Sequence, residues 1–296
     1  MIRLIITDLD NTIYNWVDYF VPCFNAMVNA LSQLTGIPKP RLKESFRDVY
    51  RRHGTTEFRE AIRELDVLGK SASHLSSREI ERRFSSAIES FRDMRRKTLR
   101  LYPSVRPTLQ RLRDDGYILV AHTDARAGTA LHRMGLLGII NLFSGLVATH
   151  DPLYKVKCRR RHPPYIRVLP DSQAKPHPAG VRAALKYFRV SPPEALYIGD
   201  SIRRDLVMAR TCGVWDIYAK YGREYDPDHY RQLIAISHWD DASVRHELGQ
   251  NFQFADGKQP SFTISKFSEI RRVIRNIDRS QPKELSPRPL RLPTAH

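Results

Sequence analysis

Hydrophobic and polar positions fall into two textures along the chain. A short apolar run, Leu4-Ile5-Ile6, ends abruptly in Asp8 and Asp10, followed by Asn11 and Thr12. An apolar run bounded in this way predicts a buried strand of a parallel sheet. Next, Trp16, Phe20, Phe24, Met27, Val28, Leu31 and Leu34 recur at helical spacing until Gly36 and Pro38 stop the pattern. Residues 39–66 predict two shorter amphipathic helices separated near Gly54. Ser76 and Glu79 form a capping box, with Leu75 and Ile80 placed as a hydrophobic staple. Ile80, Phe84, Ala87, Ile88, Phe91 and Met94 then make one apolar stripe. Residues 15–100 therefore predict an all-helical block inserted directly after the first strand.

Beyond residue 100 the period alternates. Helices are predicted at 103–116, 126–134 (closed by Gly135), 177–188, 202–211 and 266–277. Between them come strands at 117–122, 142–148, 195–198, 214–219 and 262–264. Alternating strands and helices imply the α/β class: a Rossmann-like parallel sheet with helices on both faces. Residues 1–14 and 101–278 would form this core, 15–100 a separate helical domain. Two stretches break the rhythm. Residues 150–174 read as a loop too long for a simple connection, and 222–258 as an irregular insert with a short helical patch. The tail 279–296, rich in Pro, Arg and Ser, reads as a disordered basic extension.

The polar clusters follow strands, at the edge where ligands of such sheets bind. If Leu9 continues the extended path, Asp8 and Asp10 point the same way, and two like charges that close need a cation, a shared proton or separate roles. A surface turn in which both acids cap the next segment gives the same pattern. The pair alone does not decide.

The later clusters do. Asp8-x-Asp10-x-Thr12 after one strand, Thr123 after a second, Lys175 in Lys-Pro-His-Pro, and Gly199-Asp200 with Asp205 form an ordered set. In this the chain resembles the haloacid dehalogenase-like hydrolases, over roughly residues 1–220 and 262–277, and block 15–100 resembles that family's helical C1 cap. The resemblance implies that Asp8 is a nucleophile forming an aspartyl-phosphate and Asp10 the general acid and base. It implies that Thr123 and Lys175 hold the phosphoryl oxygens. Mg²⁺ would be held by Asp8, the main-chain carbonyl of Asp10 and Asp200, with Asp205 supporting its water shell. Asp10 points to phosphatase chemistry, because relatives that cleave carbon–halogen bonds need no acid there. A phosphate monoester demands such a set: its charge must be neutralised, its nucleophile aligned and its leaving oxygen protonated. The expected substrate is a small anionic phosphorylated metabolite, such as a nucleotide or sugar phosphate.

Charge widens the picture. The chain has 49 Lys+Arg against 32 Asp+Glu, a formal net charge of +17, which attracts anions of any kind. Between Lys155 and Arg167 lie six cations and no acid. Lys155, Lys157, Arg159, Arg160 and Arg161 lead towards Lys175 and are candidates for attracting an anionic substrate; a solvated charged loop has the same composition. Arg51 and Arg52, with His53, end a helix before Gly54 and are further substrate candidates, although helix C-termini welcome cations in any case. His122, His150 and His177 lie near the proposed rim without ligand spacing. Cys23, Cys158 and Cys212 show no metal spacing and fit a reducing compartment. With no signal-like start and no membrane-length apolar run, a cytoplasmic location is expected. The alternatives are a basic nucleic-acid- or partner-binding protein on a hydrolase fold, or another hydrolase chemistry such as dehalogenation.

Overall fold

A computed structural model describes residues 1–58, 60–69, 74–151, 163–239, 254, 257 and 259–280. Seven strands, β1 (Leu4–Thr7), β2 (Ile118–Arg126), β3 (Gly145–Thr149), β4 (Tyr165–Leu169), β5 (Ala195–Gly199), β6 (Trp215–Ala219) and β7 (Phe262–Ile264), form one sheet. Its order is β4-β3-β2-β1-β5-β6-β7, and every pairing is parallel. Continuous apolar runs suit strands covered on both faces, and every residue of β1, β3 and β5 is buried. Val181, Ala184, Leu185 and Phe188 of helix Ala179–Phe188 pack with Leu4, Ile6, Val120, Val147 and Tyr197 of the sheet. Each such aliphatic side chain contributes about 1.5–3 kcal/mol by leaving water.

The described chain divides into two compact units. One is this sheet with its helices, built from Met1–Tyr14, Leu101–Glu224 and the final strand and helix. The other is helical, built from Asn15–Arg100 together with residues from Tyr225 onward. Its first helix, Trp16–Thr35, is capped by Asn15, whose side chain accepts from the Asp18 amide, and stops at Gly36 in the left-handed conformation. Phe24 meets Phe46 edge-on with ring centroids 5.1 Å apart, and Phe20 meets Phe91 at 6.3 Å. These rings are the core of the unit.

Several expectations change. The stretch 150–174 contains a strand, β4: Tyr165 and Leu169 are buried while Arg167 is exposed, the alternation of a sheet edge, where a charged residue also discourages further pairing. Strand β2 runs on through His122, Thr123 and Asp124, with a shifted register against β3 between His122 and Arg126. The helix after it spans Ala127–Leu136, passing Gly135, and the left-handed residue is Gly138. Helix 202–211 is a π-helical turn, Ile202–Leu206, followed by Val207–Thr211. Lys39–His53 is one helix, followed by 3-10 turns at Ala61–Glu64 and Asp66–Leu68. The capping box at Ser76 and Glu79 forms, but the stripe beyond breaks at Phe84 into helices Ser77–Arg83 and Ser85–Thr98.

The insert 222–258 changes most. Asp226 caps a helix, Pro227–Ile236, that belongs to the helical unit and not to the core. Its Gln232 accepts from Asn25 at 2.8 Å, and His229 lies 2.9 Å from Asp18. Buried Tyr230, Leu233 and Ile236 supply its apolar face. The final helix runs Ile270–Ser280, so Arg279 and Ser280 are helical and not part of a tail.

Candidate active site

The sheet order brings the clusters together. β1 lies between β2 and β5, with Thr7 level with Ala121 on one side and Ile198 on the other. Just past these positions stand Asp8, His122-Thr123 and Gly199-Asp200. The strand order changes direction at β1 and β5, and crevices of such sheets open where the order reverses.

Asp8 is buried at this point. Its Oδ2 accepts from Thr12 Oγ1 at 3.1 Å and its Oδ1 from Lys175 Nζ at 2.5 Å. The same ammonium donates to Asp205 Oδ1 at 2.7 Å. Carboxylate oxygens of Asp8, Asp200 and Asp205 lie within 4.8 Å of one another, and all three residues are buried. Burial, aided by the charges of Asp205 and Asp10, pushes Asp8 up to about 7 against the pull of Lys175. Burial alone would lower Lys175, but Asp205 and Asp8 hold it protonated, well above its usual range. Three clustered buried carboxylates, two of them bonded to one ammonium, leave surplus negative charge on hard oxygen donors. That is the chemistry a divalent cation requires, so these residues fit one. Asp205, expected behind the ligands, places its carboxylate within the cluster itself.

Asp10 is held differently. Its Oδ1 accepts from Tyr14 Oη at 2.6 Å and from Arg133 Nη1 at 2.9 Å, and Arg133 Nη1 also donates to Tyr14 Oη at 3.2 Å. Its Oδ2 faces Thr123 Oγ1 at 3.4 Å. Burial keeps the Tyr14 phenol protonated, so it donates.

Backbone shape supports both groups. A Cβ on Gly199 would meet the Asp205 carboxyl group at 2.4 Å, and one on Gly222 would meet the Asn11 carbonyl oxygen at 2.1 Å and Asp200 Cβ at 2.7 Å. Only glycine permits these approaches. The π turn carries Asp205 inward, where Oδ2 accepts from the Ser201 amide at 3.1 Å and Oδ1 from Tyr197 Oη at 3.2 Å. Asp124 anchors the lysine segment by accepting from the Lys175 amide at 2.9 Å; it is also ion-paired to Arg204. Burial raises Asp124, but Arg204 and Lys175 outweigh it and hold the carboxyl below its ordinary value.

The structure thus gathers Asp8, Asp10, Thr123, Lys175, Asp200 and Asp205. Arg52, in the helical unit, pairs with Glu64 at 3.5 Å, and Arg51 is exposed. Lys155, Lys157, Arg159, Arg160 and Arg161 lie outside the described residues, as does Cys158. Cys23 and Cys212 are buried thiols. His122 is buried beside Gly180 and Tyr197, and burial lowers it to about 3, leaving it neutral. His150 and His177 are exposed. Arg133, Tyr14, Asp124 and Gly222 were missed as functional positions. Arg133 did leave a signal: it falls on the stripe of Ala130, Met134 and Leu137, where an apolar residue belongs. No described helix is long and apolar enough to cross a membrane.

A glyceraldehyde 3-phosphate phosphatase from Methanopyrus kandleri is 23% identical over 76% of this chain and 87% of its own length. A phosphoglycolate phosphatase from Haemophilus influenzae is 28% identical over 43% of this chain, which spans about half (48%) of that relative's length. Among solved structures, a 2-haloacid dehalogenase from Pseudomonas syringae pv. Tomato superposes with a TM-score of 0.54 at 18% identity, over 93% of this chain and 99% of its own. A HAD phosphatase from Thermococcus onnurineus gives 0.51 at 17%, over 92% and 98%. At those identities the structures speak for the fold alone. The family model for haloacid dehalogenase-like hydrolases matches residues 2–213, and the chain belongs to that family.

Proposed function

We propose that the protein is a Mg²⁺-dependent phosphomonoester hydrolase acting on a small phosphorylated metabolite through an aspartyl-phosphate on Asp8. The carrying observation is the shared Lys175 ammonium, 2.5 Å from Asp8 and 2.7 Å from Asp205, inside a buried triad of carboxylates. Asp8, Asp200 and Asp205 would hold the cation, which when bound offsets phosphoryl charge and orients the ester. An Asp8 oxygen attacks phosphorus as the bond to the leaving oxygen breaks. Asp10 donates a proton to that oxygen, then takes one from the water that cleaves the aspartyl-phosphate and releases phosphate. Lys175 and Thr123 steady the phosphoryl oxygens. The helical unit acts as a cap and sets selectivity.

The relatives' names direct the choice of substrates. Phosphate release would be measured from phosphoglycolate, glyceraldehyde 3-phosphate, nucleoside monophosphates and sugar phosphates, with Mg²⁺ and with chelator. Turnover confined to the Mg²⁺ arm, with kcat/KM highest for one of these esters, is expected. Equal turnover in chelator overturns the metal role, and no release from any ester overturns the function.

A second reading, binding of a polyanion through its phosphates, is favoured by one observation. A groove of about 530 Å³ in the sheet unit is lined by Arg111, Lys266, Arg271, Arg272 and Arg275 with a single acid, Glu269. The groove lining holds hydroxyls but no aromatic ring on which a base could stack. Salt-sensitive binding of duplex oligonucleotide that Arg111→Ala with Arg275→Ala abolishes would support this reading, and binding unaffected by the pair would remove it.

A further inference from the structure

Arg133 is the largest fully buried side chain among the described residues, 1% exposed, on a helix face otherwise made of Ala127, Ala130, Leu131 and Met134. Arginine is almost never fully buried unless paired. An apolar residue of similar volume often serves packing as well or better, so packing does not call for a guanidinium here. Its Nη1 donates to Asp10 Oδ1 at 2.9 Å and to Tyr14 Oη at 3.2 Å. Tyr14, 1% exposed, in turn donates to the same Asp10 Oδ1 at 2.6 Å. One carboxylate oxygen therefore receives two strong donors from a rigid, buried pair. The other, Oδ2, receives only Thr123 at 3.4 Å among the described residues, and the Asp10 side chain remains 27% exposed.

From this asymmetry we infer that Arg133 and Tyr14 are a positioning pair: they fix Asp10 through Oδ1 so that Oδ2 is the oxygen that gives and takes the proton. The inference rests on the proposed role of Asp10 and deepens it. Two donors spend the lone pairs of Oδ1 that point at them, and they also lock the rotation that would exchange the two oxygens. The proton then moves between Oδ2 and the leaving oxygen of the ester. The pair touches no reacting atom and acts through Asp10 alone.

The test separates positioning from structure by the leaving group. Because kcat/KM reports steps up to departure of the alcohol, it is sensitive to the proton delivered there. An alkyl phosphate such as phosphoglycolate needs that proton, whereas p-nitrophenyl phosphate, with a stable phenolate, barely does. Arg133→Met and Tyr14→Phe should each lower kcat/KM about 10- to 100-fold on the alkyl ester and less than about 3-fold on the aryl ester. Asp10→Asn should show the same selectivity more steeply, and Arg133→Lys should recover part of the alkyl rate. Equal losses on both esters, or no loss on either, overturn the inference while leaving Asp10 in place. If Asp10→Asn itself shows no leaving-group selectivity, or the wild type hydrolyses neither ester, the function proposed for Asp10 fails and this inference with it. Should Arg133→Met fail to fold, Tyr14→Phe and Arg133→Lys decide by the same criteria.

Discussion

Two buried charge clusters share the carboxyl end of β1 and are held in opposite ways. Around Asp8, like charges are crowded: Asp8, Asp200 and Asp205 cluster while one lysine bonds Asp8 and Asp205, and the side chains of Asp8, Lys175 and Asp205 are at most 6% exposed. Around Asp10 the carboxylate is in the minority, gripped by Arg133 and Tyr14 from below with one side open. The first cluster retains electrostatic tension that a phosphoryl group and a cation would relieve. The second is relaxed, with geometry as its asset. The contrast suits a nucleophile that must meet a dianion beside an acid that must meet a proton.

The largest expected effect falls on the tense cluster. Asp8→Asn should lower kcat for phosphoglycolate by about 10⁴-fold or more, since removing a covalent nucleophile leaves only binding and electrostatics. A loss under tenfold would place the chemistry elsewhere. Lys175→Met should cost about 10²–10³ in kcat/KM and destabilise the metal-free protein by roughly 3–5 kcal/mol in urea unfolding, because two buried carboxylates lose their cation. Unchanged stability would mean that the cluster is far better solvated than its burial implies. Asp10→Asn should reduce kcat on alkyl esters by about 10²–10³ and destabilise the fold by roughly 1–3 kcal/mol, because the buried Arg133 guanidinium loses its carboxylate partner and keeps only a neutral amide.

The smallest effect has the most diagnostic sign. In the metal-free fold Asp8 keeps its proton up to about pH 7, against an ordinary value of 3.8. The folded state therefore binds more protons than the unfolded chain between these values, and stability falls as pH rises through that window. Above pH 7 the cost is fully present. Asp8→Asn removes it, so in chelator at pH 8 the inactive variant should be more stable than the wild type by on the order of 1–3 kcal/mol, after allowing for the lost Lys175 bond. At pH 4 the two should melt alike. A variant less stable at pH 8 would show that Lys175 stabilises ionised Asp8 by more than burial costs it.

Legibility in the sequence followed the physics of each element. Strands β1 and β5 were readable because strands covered on both faces carry continuous apolar runs, and their terminal acids marked the edge. Asp8, Asp10, Thr123, Lys175, Asp200 and Asp205 were readable as types in order. β4 was hidden because an edge strand alternates, and Arg167 with its basic neighbours masked the pattern. Helix Pro227–Ile236 was legible as a short helical patch, but its place in the helical unit was hidden because its partners, Asn25 and Asp18, lie some two hundred positions away. The grip on Asp10 was hidden for the same reason: Arg133 meets Asp10 and Tyr14 only across more than a hundred positions of sequence. Gly222 looked like the start of an irregular stretch until the Asn11 carbonyl was found against it.

The central claim is that Asp8 accepts the phosphoryl group. Wild-type protein mixed with phosphoglycolate and Mg²⁺, quenched in acid and treated with borohydride, would convert an aspartyl-phosphate to homoserine. Peptide mass spectrometry would then locate the change. The account predicts homoserine at position 8, absent without substrate, with no reduced residue in the Asp8→Asn protein. Trapped phosphate on any other side chain, or turnover by Asp8→Asn at the wild-type rate, would contradict it.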